Sequence, residues 1–154
     1  MRLCRAEDEP VVQEIAREAF TGFIGHWHSD SRIPQEAADS LYSNWARDLA
    51  RASSVSQPLW LLENAQTRAA EGFLSLRRKS ASLWHVPLTA VRPSARGRGS
   101  LKRMLGSVFT DSEIVAPARL EYETQLANGA AVKVVSQLGF LPIGAKLTLH
   151  LWSH

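Results

Sequence analysis

Arginine, lysine and glycine crowd one short stretch of this 154-residue chain. Thr89 to Met104 reads T-A-V-R-P-S-A-R-G-R-G-S-L-K-R-M, placing Arg92, Arg96, Arg98, Lys102 and Arg103 around Gly97 and Gly99. Those residue types suit phosphate. Glycine lacks a Cβ and lets a ligand come close to the backbone. A helix that starts beside such a loop offers unpaired N–H groups and a positive dipole end to an anion. Three further side chains can move protons. His85 titrates near neutrality, and Glu121 and Glu123 share one strand face by period two. A solvent-facing strand edge is the alternative for either glutamate, and a hydrogen-bonded sheet histidine is the alternative for His85.

Those residues need a strand, a turn and a helix to hold them. Leu88 to Val91 is apolar and reads as a strand end, and Leu101, Met104, Leu105 and Val108 recur at helical spacing after Gly99. The loop is therefore a strand-to-helix turn. It is neither a dinucleotide fingerprint, since Lys102 stands where the third glycine belongs, nor a P-loop, since no G-K-S/T follows.

Around this unit, Met1–Arg5 reads as a short strand and Asp8 as the cap of a helix carrying Val12, Ile15, Ala16, Ala19 and Phe20. A loop from Thr21 to Pro34 leads to a helix over Gln35–Ala52 with Ala38, Leu41, Tyr42, Trp45 and Leu49 as its buried stripe. Strands follow at Pro58–Glu63, Glu71–Arg78 and Leu83–Val91, then a helix over Gly99–Asp111 and a strand at Leu120–Gln125. Asn128 opens a helix with Ala131, Val134, Val135 and Leu138, and Gly139 closes it. Leu141–Trp152 reads as the final strand. The order β-α-α-β-β-β-α-β-α-β predicts one α/β domain, residues 1–154, whose sheet is mixed: short turns make antiparallel pairs and the strand–helix–strand after Leu83 a parallel one. Pro87 cannot donate to a ladder, so it predicts an edge or a bulge within its strand.

Hydrophobic residues make up 45% of the chain, which excludes a disordered class. The single cysteine, Cys4, excludes an intramolecular disulfide framework and a cysteine-based metal site. Met1 to Pro10 is charged, unlike a signal peptide, and no apolar run reaches membrane-span length, so the expectation is a soluble cytoplasmic protein without a membrane partner. Net charge is +3. The basic residues form two local clusters, Arg77-Arg78-Lys79 and Arg92–Arg103, which suits a small polyanion rather than nucleic acid. His26, His28 and Asp30 lie in one loop without a third and fourth ligand, so no metal is expected. Sugar or phosphate contact is the reading for His26 and His28, with loop stabilisation beside it. Trp45 is a stacking surface or core.

The element order and the pattern V-R-P-x-x-R-G-x-G at Val91–Gly99 resemble the GNAT acyltransferases over essentially the whole chain. The resemblance implies a GNAT fold, a central mixed sheet with splayed middle strands flanked by about four helices. It implies an acetyl-CoA-dependent N-acetyltransferase whose loop Arg96, Gly97, Arg98, Gly99, Ser100 and Leu101 binds the coenzyme A pyrophosphate, with Leu101 in place of the usual Gly or Ala. Leu88, Thr89, Ala90 and Val91 would pair with the pantetheine arm, and Asn128 would contact the cofactor. His85, Glu121 and Glu123 are the candidates for the base. Val135 occupies the position where many such enzymes carry an acidic tyrosine, which leaves a CoA-binding module without transfer as the alternative. The segments H-W-H-S-D-S-R-I-P and Glu123–Phe140 look like nucleotide-sugar N-acetyltransferases of the dTDP-fucosamine type, which makes a small-molecule amine the expected partner and His26, His28 and Trp45 its contacts. The family also implies a homodimer through the last strands.

Overall fold

The computed structural model describes residues 1–110 and 117–153. Seven strands and four α-helices appear among them. The strands are β1 (Arg2–Leu3), β2 (Leu59–Glu63), β3 (Ala70–Ser75), β4 (Arg77–Arg78), β5 (Leu83–Val86), β6 (Thr89–Val91) and β7 (Arg119–Tyr122). The helices are α1 (Glu9–Phe20), α2 (Gln35–Arg51), α3 (Ser100–Thr110) and α4 (Gly129–Gln137). The expected end of α3 at Asp111 lies outside the described residues. No helix among them is long and apolar enough to cross a membrane.

The strands form two sheets, β1-β2-β3-β6 and β4-β5-β7. All pairs are antiparallel except β5 with β7, which is parallel across α3 as the strand–helix–strand order predicts. The centre of the first sheet, β2 and β3, is buried on both faces. Leu59, Leu61 and Phe73 join one core with α1 and α2. Trp60, Leu62, Leu74 and Leu76 join a second with Met104, Leu105 and Val108 of α3. Burial on both faces is why L-W-L-L and G-F-L-S-L read as nearly continuous apolar runs.

The expected strand Leu83–Val91 breaks at Pro87–Leu88, and the break is a bulge. The three-residue step from Leu74 to Arg77 lies opposite a four-residue step from Thr89 back to His85. The extra residue inverts the alternation. Trp84 and Val86 face the α3 core, whereas Leu88 and Ala90 face the α1–α2 core. Pro87 accounts for the position, since it brings no N–H to the ladder. The buried Ser75 hydroxyl closes the gap. It donates to the Leu88 carbonyl at 2.6 Å and accepts from the Leu88 N–H at 2.9 Å. Ser75→Ala is expected to leave that buried N–H without a partner and to cost about 1–3 kcal/mol, seen as a lower urea midpoint at unchanged slope.

Three expectations need correction. Leu141–Trp152 has strand-like alternation but forms no strand among the described residues, and Leu141, Ile143, Leu147, Leu149 and Leu151 stand exposed; alternation supplies a face, and a ladder also needs a partner edge. Asp8 does not cap α1. Its carboxylate accepts the Arg5 N–H at 2.8 Å and both terminal Arg2 nitrogens, at 2.6 and 2.7 Å, which holds its pKa below the usual range, the Arg2 bonds contributing most. The buried stripe of α2 runs through Ala38, Tyr42, Ala46 and Ala50, leaving Trp45 and Leu41 exposed. Alanines let α2 approach α1 closely, and Tyr42 fills the remaining gap by stacking on Phe20 at 4.3 Å. A tryptophan does not fit so narrow a seam.

Candidate functional site

The bulge opens a wedge. β5 and β7 stay paired as far as Val86 and Tyr122, and beyond that point β6 pairs only with β3 among the described residues. Leu88 and Arg92 turn their backbone toward β3, through Ser75 N–H to Leu88 C=O at 3.0 Å and Arg92 N–H to Glu71 C=O at 2.8 Å. Antiparallel alternation then sends the N–H and C=O groups of Thr89 and Val91 to the opposite edge, where no strand among the described residues receives them. An extended polar chain can add there as a strand does.

The glycine loop continues from that edge. Pro93–Ala95 makes one 3-10 turn, and Gly97 and Gly99 both adopt left-handed φ, 75° and 76°. A side chain at either would meet open space, so these glycines are required by φ rather than by crowding. Ser100 Oγ donates to the Ala95 carbonyl at 3.1 Å and closes the turn onto α3. The first main-chain bond at this end runs from Arg103 N–H to Gly99 C=O at 2.9 Å, which leaves the N–H groups of Ser100, Leu101 and Lys102 without main-chain partners among the described residues. Leu101 turns its side chain into the α3 core, so its bulk stays out of the loop.

The structure divides the five cations. Arg92 pairs with Glu18 and donates to the Ala70 carbonyl at 2.9 Å. Arg96 donates to the Ala19 carbonyl at 2.7 Å. Both therefore staple the loop to α1. Arg98, Lys102 and Arg103 are exposed and have no ion-pair partner among the described residues.

A polar sheet face lies across the wedge. Arg77, His85 and Glu121 form one cross-strand row. The His85 Nε2 is buried without a hydrogen bond, although Glu123 Oε1 lies 3.4 Å away out of alignment. Burial pushes the His85 pKa below 6.5, with Lys79 and Lys146 adding to the fall and Glu123 and Glu121 opposing it. Glu121 bonds Lys79 at 3.0 Å and lies 3.6 Å from Arg119; Glu123 pairs with Lys146. Those lysine bonds lower both carboxylate pKa values. His85 is thus the one of the three that is neutral at pH 7 and has an unengaged ring nitrogen. Arg78 pairs with Trp84 in the register, so it points to the other face from Arg77; the basic triplet does not act as one patch.

The loop between α1 and α2 carries the two histidines expected to contact the acceptor. His28 is a structural residue there. Its ring is 3% exposed, its Nδ1 accepts from the Gly25 N–H at 3.0 Å, and its Nε2 meets Asp39 at 3.0 Å. The acceptor role of Nδ1 places the proton on Nε2. His26 is exposed, with its ring 4.4 Å from Trp27 and its pKa lowered first by burial. Trp45 stands on the outer face of α2, apart from the seam with α1. Among the described residues no group of three or more His, Cys, Asp or Glu is placed to hold a metal. Asn128 caps α4, its Oδ1 accepting the Ala131 N–H at 3.2 Å, and Val135 packs against the α3 core. Sequence reasoning missed Ser75, for which the small polar residue inside F-L-S-L was the available signal.

No family model matches the chain, and no curated protein matches it. Solved structures do. The ribosomal-protein-S18-alanine N-acetyltransferase from Escherichia coli superposes with a TM-score of 0.67 at 16% identity over 93% of this chain and 77% of that one. AAC(6')-Iy, in complex with the bisubstrate analogue CoA-S-monomethyl-acetylneamine, gives 0.62 at 15% identity over 99% and 97%. A protein described as an acetyltransferase of the GNAT family from Desulfovibrio desulfuricans gives 0.69 at 14% identity over 93% and 85%. At such identities the likeness speaks for architecture alone, and the bulged strand, the splayed parallel pair and the four helices agree with it: the chain has the GNAT acetyltransferase fold.

Proposed function

We propose that this chain transfers an acetyl group from acetyl-CoA to the amine of a small molecule. The observation that carries the reading is the bulge at Pro87, which frees the edge of β6 and leads it directly into the glycine loop. The free edge at Thr89 and Val91 would take the pantetheine amides, and the N–H groups from Ser100 to Lys102 with Arg98, Lys102 and Arg103 would hold the pyrophosphate. Acetyl-CoA supplies an activated thioester. His85 would take the proton of the attacking amine once the acceptor opens its buried Nε2, and a free N–H on the β6 edge would donate to the carbonyl oxygen as charge grows there.

On this reading the acceptor enters on the polar face, and His26 and Trp45 are its proposed contacts. Its class on this reading is a nucleotide-linked amino-deoxysugar, with Arg77 and Lys79 facing its diphosphate. A homodimer on this reading would form through Leu149-His150-Leu151-Trp152, where Leu149 and Leu151 are exposed. Titration calorimetry with CoA and acetyl-CoA tests the cofactor, and thiol release with a panel of dTDP- and UDP-amino sugars tests the reaction. No heat of binding would end the proposal. Binding without thiol release would favour the second reading, a CoA-holding module, whose motive is that Val135 has no proton to give.

A further inference from the structure

The C-terminal segment brings a primary amine to the candidate base. Burial lowers the His85 pKa, and two of the chain's four lysines, Lys79 and Lys146, lie close enough to add to the fall. They stand in different places. Lys79 lies in the turn between β4 and β5 and bonds Glu121 at 3.0 Å, within the paired part of β5 and β7. Lys146 bonds Glu123, the first residue past the last register pair, Val86 with Tyr122. It does so at Oε1, the same oxygen that lies 3.4 Å from His85 Nε2. Amine, carboxylate and imidazole therefore meet at the apex of the wedge.

The segment holds that amine from both ends. Phe140 packs against the α3–α4 core, and its N–H donates to the Val135 carbonyl at 3.0 Å. At the far end His150 Nδ1 and Trp152 Nε1 both meet Asp30 Oδ2, at 2.9 and 2.7 Å, on a carboxylate only 9% exposed. Between these anchors residues 141–149 make no main-chain hydrogen bond among the described residues, and Leu147 and Leu149 stand exposed. Neither a ladder nor apolar packing fixes the segment, so its two ends and the Lys146–Glu123 pair set its course. An exposed ion pair is weak by itself, but a tether on both sides raises the local concentration of the amine. Lys146 is exposed, so a thioester can reach it.

Resting on the acetyl-transfer reading, we propose that Lys146 is an internal acceptor: its Nζ occupies the position of the acceptor amine and is acetylated by the same chain. The ammonium first gives a proton to solvent. The neutral nitrogen forms its bond to the acetyl carbon, and the carbon–sulfur bond breaks with its pair on sulfur. The proton that this nitrogen then sheds passes to His85 Nε2 and on to solvent, and sulfur takes a proton from solvent. Glu123 is exposed, so it can turn aside and let the amine reach the imidazole. Acetylation removes the charge that Lys146 offers Glu123. The pair dissolves and the segment is left on its two ends. In the unmodified protein a foreign amine must displace Lys146 to reach the base; in the modified one that competition is gone.

The parent protein is incubated with acetyl-CoA and no added amine and mapped by peptide mass spectrometry, with acetyl-CoA binding measured by calorimetry. The expected product carries its acetyl group on Lys146, formed at a rate independent of protein concentration, while Lys79, Lys102 and Lys133 stay unmodified. The rate should fall about 100-fold in His85→Gln. Without coenzyme, Lys146→Gln should raise the His85 pKa in an NMR titration, because it removes a cation and frees Glu123 while Lys79 and Glu121 remain. A surface pair with no bearing on the base would leave that titration unmoved. The inference is overturned, and the acetyl-transfer reading left standing, by a parent that binds acetyl-CoA with Lys146 unmodified. The same holds for equal acetylation of every lysine, an undiminished rate in His85→Gln, a rate that rises with protein concentration, or a His85 titration indifferent to Lys146→Gln. A parent that binds no acetyl-CoA ends both.

Discussion

His85→Gln is expected to lower kcat by at least about 100-fold, the usual scale for a lost general base. Glutamine approximates the size of the imidazole and keeps a hydrogen-bonding end, so the sheet should remain folded. The expectation rests on place and protonation together. The His85 Nε2 is buried, lacks a hydrogen bond and lies beside the wedge apex. Burial drives its pKa below 6.5, the cations of Lys79 and Lys146 push the same way, and Glu123 and Glu121 oppose them. The neutral, proton-accepting form is therefore dominant at pH 7. In the parent, kcat/KM should be flat near neutrality and fall as pH drops through an ionisation below 6.5; the variant should lose that limb. Glu123→Gln should cost far less, because the carboxylate is already engaged by Lys146 and its pKa is lowered. A pH–rate series on the three proteins decides between the two groups. The assignment to His85 would be falsified if Glu123→Gln removed the limb and His85→Gln kept it.

Reversing two charges at the loop, Arg98→Glu with Lys102→Glu, should weaken CoA binding about 100-fold at low salt. Neither cation has an ion-pair partner among the described residues, so the change should reach the ligand with little effect on stability. The loss should shrink as salt rises, since exposed charges are screened. Arg96→Glu is a poorer probe. Its guanidinium bonds the Ala19 carbonyl at 2.7 Å, so the substitution also frees the loop from α1. Calorimetry at two salt concentrations, with a melting curve for each protein, separates lost phosphate contact from a loosened loop.

Local chemistry was legible without coordinates. The strand-to-helix turn at Leu88–Val108 follows from residue types a few positions apart, as do the helix-closing, left-handed Gly139 and the helix start at Asn128. The parallel pair across α3 follows from element order and connection length. Pro87 located the bulge because its missing N–H is a property of the residue itself.

What depended on distant partners could not be read that way. His26 and His28 are the same residue type two positions apart, yet His28 is committed to Gly25 and Asp39 while His26 stays exposed. Arg92 and Arg96 look like phosphate ligands in sequence and serve as staples because Glu18, Ala19 and Ala70 come to meet them. Trp45 lost its expected burial to the close α1–α2 seam, and Leu141–Trp152 lost its strand for want of a ladder. The sequence alone determined the loop, the helix starts and the site of the bulge, since each is set by backbone preferences over a few residues. Only the tertiary structure decided which cations remain available, that Ser75 seals the bulge, and that Lys146 reaches the Glu123 oxygen beside His85, because strand register and burial are set by residues far apart in the chain.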